Sequence, residues 1–260
     1  MTEPLQVALV QIDDYGPWTT TPAPRRETDL QSLQASLFAD FAEFVGEYDG
    51  YAFYGRFDNM YAVANRPDPT AFARFQRLVR NQYPVTVSVA VGRGETPAAA
   101  MGVASDRLQE AGSAQNGQRT EVLAIGDTDG SRPATGPLTI AHFDVVDVTS
   151  SLTDRENAID VTRTIRRAAL ELETHLRDRH DCLTHFVGGD NVIAVCPMVS
   201  ADTFQAAIDH VRAETGLELQ VGVGHDRTAH AAGEEAKYAL ETCRATGDRI
   251  RGAETLPAED

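Results

Sequence analysis

Four aspartates carry the chemistry this sequence is equipped for. Asp13 and Asp144 each close an apolar run that reads as a strand, VALVQIDD and LTIAHFDV, while Asp58 and Asp190 sit in the turns GRFDN and GGDN between further apolar runs. Asp13 and Asp58 lie 45 positions apart and Asp144 and Asp190 lie 46 apart. Two carboxylates brought together raise each other's pKa and repel. A divalent cation resolves that conflict, and Mg²⁺ takes one or two carboxylates while water and ligand phosphates complete its octahedron. One aspartate in a turn is ordinary. Two pairs at matched spacing predict metal sites that face a phosphate-bearing ligand.

The residues around the pairs differ, and the differences predict a division of labour. Gly188 and Gly189 precede Asp190, so a phosphate can approach that turn closely, whereas Arg56 and Phe57 precede Asp58. Asp144 and Asp190 are therefore the expected phosphate-metal pair, with Asp13 and Asp58 forming another cation site or a second reacting centre. Arg25 and Arg26 follow a Pro- and Thr-rich loop after Asp13 that the second half lacks. A guanidinium forks onto phosphate or onto purine O6 and N7, although here the pair can equally start a solvated helix. Gln11 and His142 precede the strand-end aspartates by two residues. Gln11 either hydrogen-bonds a base or is an inward polar residue satisfied by backbone, and Trp18 either stacks on a base or packs its loop.

Positioning these residues requires two copies of one unit. GYAFYGRFDNMYAVAN and VTVSVAVGRGET in the first half are answered by LTHFVGGDNVIAVCP and LELQVGVGHDRT in the second, and Asp58 to Thr96 and Asp190 to Thr228 both span 38 positions. Between the strand-like runs the apolar period becomes helical, as in Leu30, Leu33, Leu37, Phe41 and Phe44, or Phe204, Ile208 and Val211. Thr153 to Glu156 reads as a capping box opening a helix that runs to about Arg179. Each half is then strand, helix, hairpin, helix, strand and a further helix, the split βαβ order of a ferredoxin-like unit. The expected fold class is α/β (α+β), with tandem duplicated ferredoxin-like units at 1–125 and 138–260 and a Gly-, Pro- and Asp-rich linker at 126–137. The tail after Gly252 is acidic and expected to be loose.

Composition excludes several classes. At 260 residues and 42% hydrophobic the chain can bury a substantial core. Cys182, Cys196 and Cys243 form no CxxC pair, and His175, His180 and His185 recur every five residues, so neither a zinc site nor a disulfide framework is expected. The formal charge is −16 and Lys237 is the one lysine among 23 basic residues. That surface repels nucleic acid and anionic membranes. With no signal-like start or membrane-length apolar run, the protein is expected to be soluble and cytoplasmic.

FDVVDVTSSL with VGGDNV looks like the metal-binding strand and hairpin of the palm-type nucleotidyl cyclases, including GGDEF proteins. QIDDYGPWTTTPAPRRETDLQSLQ, FYGRFDN, NQYPVTVSVAVG, GSAQ and AHFDVVDVT closely resemble archaeal GTP cyclohydrolase III over nearly the whole chain. The resemblance implies a magnesium-dependent hydrolase that opens the guanine imidazole ring of GTP between C8 and N9 and keeps the formyl group. Two phosphates leave, giving 2-amino-5-formylamino-6-ribosylamino-4(3H)-pyrimidinone 5′-phosphate for flavin and deazaflavin coenzymes. It further implies activation by a monovalent cation such as K⁺, no zinc, and a homo-oligomer, a tetramer in the family. It extends the substrate-binding set to Phe143 and Val145 beside Asp144 and to Asn59 and Asn191 after the turn aspartates. The rival readings are a nucleotidyl cyclase, disfavoured because GGDN lacks the acidic fourth residue of GGDEF, and a non-catalytic GTP sensor.

The acidic surface and the implied K⁺ activation both point to a salt-loaded cytoplasm. Closely spaced carboxylates repel unless ions screen them. Dialysis from concentrated KCl into dilute buffer is therefore expected to lower the melting temperature or unfold the protein, and unchanged melting would overturn the high-salt reading.

Overall fold

The computed structural model describes residues 5–64, 67–127 and 137–253. It divides into two compact units, Met1–Glu95 with Ala99–Gly136 and Thr96–Ala98 with Pro137–Asp260. The first unit runs β1 (Gln6–Ile12), α1 (Tyr15–Thr20), α2 (Glu27–Gly46), β2 (Tyr51–Tyr54), β3 (Asn59–Val63), α3 (Pro69–Gln82), β4 (Val87–Arg93), α4 (Pro97–Glu110) and β5 (Leu123–Asp127). The second runs β6 (Leu138–Val145), a π-helical turn (Thr149–Thr153), α5 (Ala158–His180), β7 (Leu183–Gly188), β8 (Asn191–Cys196), α6 (Ala201–Thr215), β9 (Leu219–Asp226), α7 (Ala229–Thr246) and β10 (Ile250–Arg251).

The sheet orders are β2-β3-β1-β4-β5 and β10-β9-β6-β8-β7, so the first strand of each unit lies at the centre, antiparallel to both neighbours. The ferredoxin-like order is borne out, and each unit is a mixed five-stranded sheet with flanking helices. The fifth strands, β5 and β10, are not evident in the sequence pattern; they pair parallel to β4 and β9 after the extra helix. Most of the expected linker, residues 128–136, and of the acidic tail, residues 254–260, lie outside the described residues.

Alternation along the central strands separates core from site. In the second unit Ala141, Phe143 and Val145 pack with Leu172, Leu176 and Phe204, while His142 and Asp144 alternate onto the opposite face. Burial there lowers the His142 pKa to about 4, with Lys237 adding to the effect, so the imidazole is neutral. In the first unit Phe41, Phe44, Phe72 and Phe75 form an aromatic cluster over Val10, Ile12, Val87 and Val89. Both hairpins carry their aspartates at the turn, as their Gly- and Asn-containing sequences predict.

The capping box does not open α5. Thr153 turns its hydroxyl back to the Thr149 carbonyl at 3.1 Å, the same oxygen to which the Asp154 N–H donates in closing the π-helical turn, and Asn157 caps the helix by accepting from the Ile159 N–H at 2.8 Å. A threonine hydroxyl offered nearby carbonyls bonds locally before it reaches a helix start. Among the described residues no helix is long and apolar enough to cross a membrane.

Helix α7 rests directly on β9 backbone. A Cβ on Gly222 would stand 2.1 Å from the Ala236 carbonyl oxygen and 2.2 Å from the Leu240 nitrogen, and one on Gly224 would stand 2.1 Å from the Ala232 carbonyl oxygen. Backbone cannot rotate aside as a side chain does. Gly222→Ala is therefore expected to destabilise the protein by roughly 1–3 kcal/mol through overpacking, read from denaturant midpoints at constant salt; an unchanged midpoint would show that α7 is free to lift.

Candidate functional site

The two central strands end in different residues once their registers are compared. Asp144 stands opposite Gln220 on β9, four residues before Gly224, while Gln11 stands opposite Ser88 on β4, four residues before Gly92. Gly92 and Gly224 are equivalent, since both press on a helix backbone, at Ala100 and Ala232 respectively. The turns agree with this register: the Asp13 N–H donates to the Thr86 carbonyl as the Val146 N–H donates to that of Glu218. Asp14 and Asp147 follow, both left-handed at φ 50°. Gln11 thus occupies the position of Asp144, and Asp13 that of Val146. This corrects the alignment that matched Asp13 with Asp144 and Gln11 with His142.

Asp13 is buried and fully engaged. Its carboxylate accepts from Thr86 Oγ1 at 2.8 Å, Ser88 Oγ at 2.6 Å and the Glu121 N–H at 2.9 Å, with the buried Arg119 guanidinium 3.9 Å away. It ties β1 to β4 and to the segment leading into β5. Asp58 instead pairs with Arg56 at 3.3 Å, so the two carboxylates have separate partners. Asn59 lies opposite Gln11 across β1 and β3. Arg25 stacks 3.9 Å over the Trp18 ring and donates to the Trp18 carbonyl at 2.9 Å, holding its own loop, while Arg26 is exposed at the start of α2.

In the second unit Asp144 and Asp190 do meet. Asp144 is buried at the end of β6, where Oδ2 accepts from Gln220 Nε2 at 3.0 Å and from Arg244 at 2.9 Å, and its carboxyl lies within hydrogen-bonding reach of Asp190. The Asp190 pKa is raised, first by burial and then by the neighbouring Asp144, against a lowering contribution from the Val145 N–H. Gly188 and Gly189 adopt positive φ, 114° and 64°, conformations that suit glycine, and so turn Asp190 back towards β6. Asn191 reaches Asp190 Oδ1 at 3.4 Å. Phe143 faces the core against Phe204, so it supports the site from behind.

A cavity of about 570 Å³ opens on this pair, bounded by the Val145–Ser150 segment on one side and by Arg244, Gly247 and Arg249 on the other. Arg249 is paired with Glu218 at 3.1 Å. Gln220, Arg244 and Arg249 carry no signal in the sequence: Arg244 lies 100 positions from Asp144, and only the packing of α7 on β9 brings them together. Among the described residues no group of three or more His, Cys, Asp and Glu is arranged to hold a metal. The pair nevertheless fits Mg²⁺, since two carboxylates suffice when ligand phosphates and water supply the remaining oxygens. The two arginines suit the further charge of such a ligand.

Comparison with known proteins bears on what that ligand is. A family described as GTP cyclohydrolase III matches residues 7–256. The chain is 55% identical over 246 residues to GTP cyclohydrolase III 2 of Halobacterium salinarum, covering 95% of this chain and 97% of that protein. It is 52% identical to GTP cyclohydrolase III of Natronomonas pharaonis, covering 92% and 94%. Among solved structures, the coiled coil and GGDEF domain of DgcB from Caulobacter crescentus in complex with c-di-GMP aligns with a TM-score of 0.38 at 15% identity, covering 45% of this chain and 69% of that one.

The raised Asp190 pKa makes a prediction about the cation-free protein. Its contribution to stability is present when the carboxyl is protonated, at low pH, and is lost as pH rises through the raised pKa. Asp190→Asn removes the charge that Asp144 repels. At neutral pH without divalent cations the variant is expected to melt above the wild type, and the gap should close on acidification as wild-type Asp190 takes up its proton; a variant melting lower throughout would contradict the repulsion.

Proposed function

Because the chain belongs to the GTP cyclohydrolase III family, we propose that it hydrolyses GTP, opening the guanine imidazole ring and removing the two outer phosphates, with Asp144 and Asp190 as its Mg²⁺ ligands. The observation that carries this reading is the meeting of the two carboxylates at the mouth of a cavity that also contains two arginines. Bound Mg²⁺ supplies charge neutralisation and a water of lowered pKa. Gln220 and Arg244 hold Asp144 in one orientation, and the Val145 N–H and Asn191 do the same for Asp190. Arg244 and Arg249 counter the outer phosphates. The start of the π-helical turn, Thr149 and Ser150, borders the same cavity and offers backbone N–H groups of a first turn.

In the ring-opening step water adds at C8, the C8–N9 bond breaks, N9 leaves as an amine and the formyl group stays on N7. The first unit lacks the second carboxylate at the end of its central strand, since Gln11 stands there, and this supports placing the phosphates in the second unit. Gln11, Asp58 and Asn59 form a polar edge within the first unit, and Asp13 holds that edge in place. The reading includes K⁺ as activator, no zinc, a homo-oligomer, no nucleic-acid partner, a cytoplasmic setting and a product destined for flavin and deazaflavin coenzymes. The naming of relatives in Halobacterium salinarum and Natronomonas pharaonis supports the high-salt part of it.

Incubation with GTP, Mg²⁺ and concentrated KCl is expected to give the formylamino-pyrimidinone monophosphate, seen by mass and by loss of the guanine ultraviolet spectrum. Asp190→Asn should lower turnover by a hundredfold or more, on the scale of about 3 kcal/mol for losing a charged group from a catalytic site, and should lose any Mg²⁺-dependent rise in melting temperature. Full turnover in that variant would refute the assignment, and a cyclised product with an intact base would make the protein a nucleotidyl cyclase.

A further inference from the structure

Arg249 stands on the rim of the cavity that opens on Asp144 and Asp190, and the residue that holds it there lies outside that cavity. Glu218 Oε2 pairs with Arg249 Nη2 at 3.1 Å, and Glu218 Oε1 pairs with Arg212 Nη1 at 3.5 Å. Arg212, in the last turn of α6, also meets Asp209 at 3.4 Å. A chain of alternating charge, Asp209–Arg212–Glu218–Arg249, therefore runs from α6 to the cavity rim. Each oxygen of the Glu218 carboxylate faces one guanidinium, and this fixes its orientation.

The backbone on both sides of the pair is pinned. The Glu218 carbonyl accepts from the Val146 N–H at 2.9 Å, in the Val145–Ser150 wall of the cavity, and the Arg249 carbonyl accepts from the Val221 N–H at 2.8 Å on β9. Both side chains thus start from fixed points, and only the long arginine side chain has freedom to lose. Arg244 is already shared between Asp144 and Glu241. Arg249 pairs with no acid but Glu218 among the described residues, so it is the freer of the two cations at the rim, and its guanidinium keeps N–H donors for an anion in the cavity. An arginine ordered in advance meets a phosphate without the entropic cost of being ordered by it.

We propose that Glu218 is a positioning residue of this site: anchored by Arg212, it aims the Arg249 guanidinium at the outer phosphates of a bound nucleotide and strengthens triphosphate binding without touching the ligand. The assignment rests on the reading that the triphosphate occupies this cavity. Its effect is confined to the outer phosphates, since a nucleotide without them gives Arg249 nothing to meet. It falls on KM and not on kcat, because the contact it supports is the same before and during ring opening. A half-exposed ion pair adds little to stability, so Glu218→Gln, which keeps the backbone bond to Val146, leaves the melting temperature of the ligand-free protein unchanged.

Glu218→Gln, Arg249→Gln and the double variant are compared with wild type at one KCl concentration. KM and kcat are measured for GTP with Mg²⁺, and melting shifts are measured for GTP and for GMP without divalent cation, where Mg²⁺-dependent turnover is stopped. Glu218→Gln is expected to raise KM by about threefold to tenfold, as for leaving one long side chain unordered, with kcat unchanged, the GTP shift reduced and the GMP shift as in wild type. With Arg249→Gln already in place, Glu218→Gln should add nothing. Unchanged or tighter GTP binding in Glu218→Gln, an equal loss for GTP and GMP, or a loss that persists without Arg249 overturns the positioning role and leaves ring opening standing. A wild type that gives the expected melting pattern yet never opens the ring sustains the positioning role and overturns the reaction.

Discussion

Two carboxylates confined to one partly desolvated space repel each other, and the second unit is arranged around that repulsion. Asp144 comes from the central strand and Asp190 from the adjacent hairpin turn, so a ferredoxin-like sheet cannot be built from this sequence without bringing them together. The rest of the site holds the pair in this strained state. Gln220 and Arg244 grip Asp144 from a neighbouring strand and a helix, and the Val145 N–H and Asn191 grip Asp190. Each contact favours charge on a pair that burial disfavours.

The first unit shows the same scaffold with that demand removed. Its central strand ends in an amide where the second has a carboxylate. The nearest acid, Asp13, is withdrawn two residues further along and satisfied by two hydroxyls and a backbone N–H. A carboxylate with three donors is a staple, and it secures β1, β4 and the approach to β5 in one contact. Duplication therefore left a carboxylate pair at one sheet end and a support at the other, and within the first unit Arg25 folds over Trp18 to hold the loop after β1.

Much of this is legible in the amino-acid sequence, and the exceptions have physical causes. The strand and helix periods, the hairpin turns and the duplication can all be read because each is a local pattern. The matching of Asp13 with Asp144 fails because a slip of two residues along a strand keeps every side chain on the same face, so the apolar pattern cannot detect it. The spacings do not reveal it either, since Gln11 to Asp58 spans 47 positions against 46 for Asp144 to Asp190, as unequal as before. Arg244 and Gln220 leave no trace at all, since they join the site through strand register and helix docking over long sequence separations. The short β10, Ile250–Arg251, has too few residues to show a period, and Thr153 resembles a cap because its real partner, the Thr149 carbonyl, is not visible in a residue pattern.

The close seating of α7 on Gly222 and Gly224 has a mechanical consequence. A helix pressed backbone to backbone on a strand has little play, so α7 behaves as a rigid arm whose fulcrum is two hydrogen atoms. Arg244 lies eight residues beyond Ala236, about 12 Å along the arm at 1.5 Å per residue. A tilt of a few degrees at the fulcrum moves the guanidinium by a good part of an ångström, enough to loosen its grip on Asp144. The reach of a charged group is thus set by the smallest residue in the chain, some distance away, and the tolerance of the carboxylate pair is inherited from the thinness of the sheet beneath the helix.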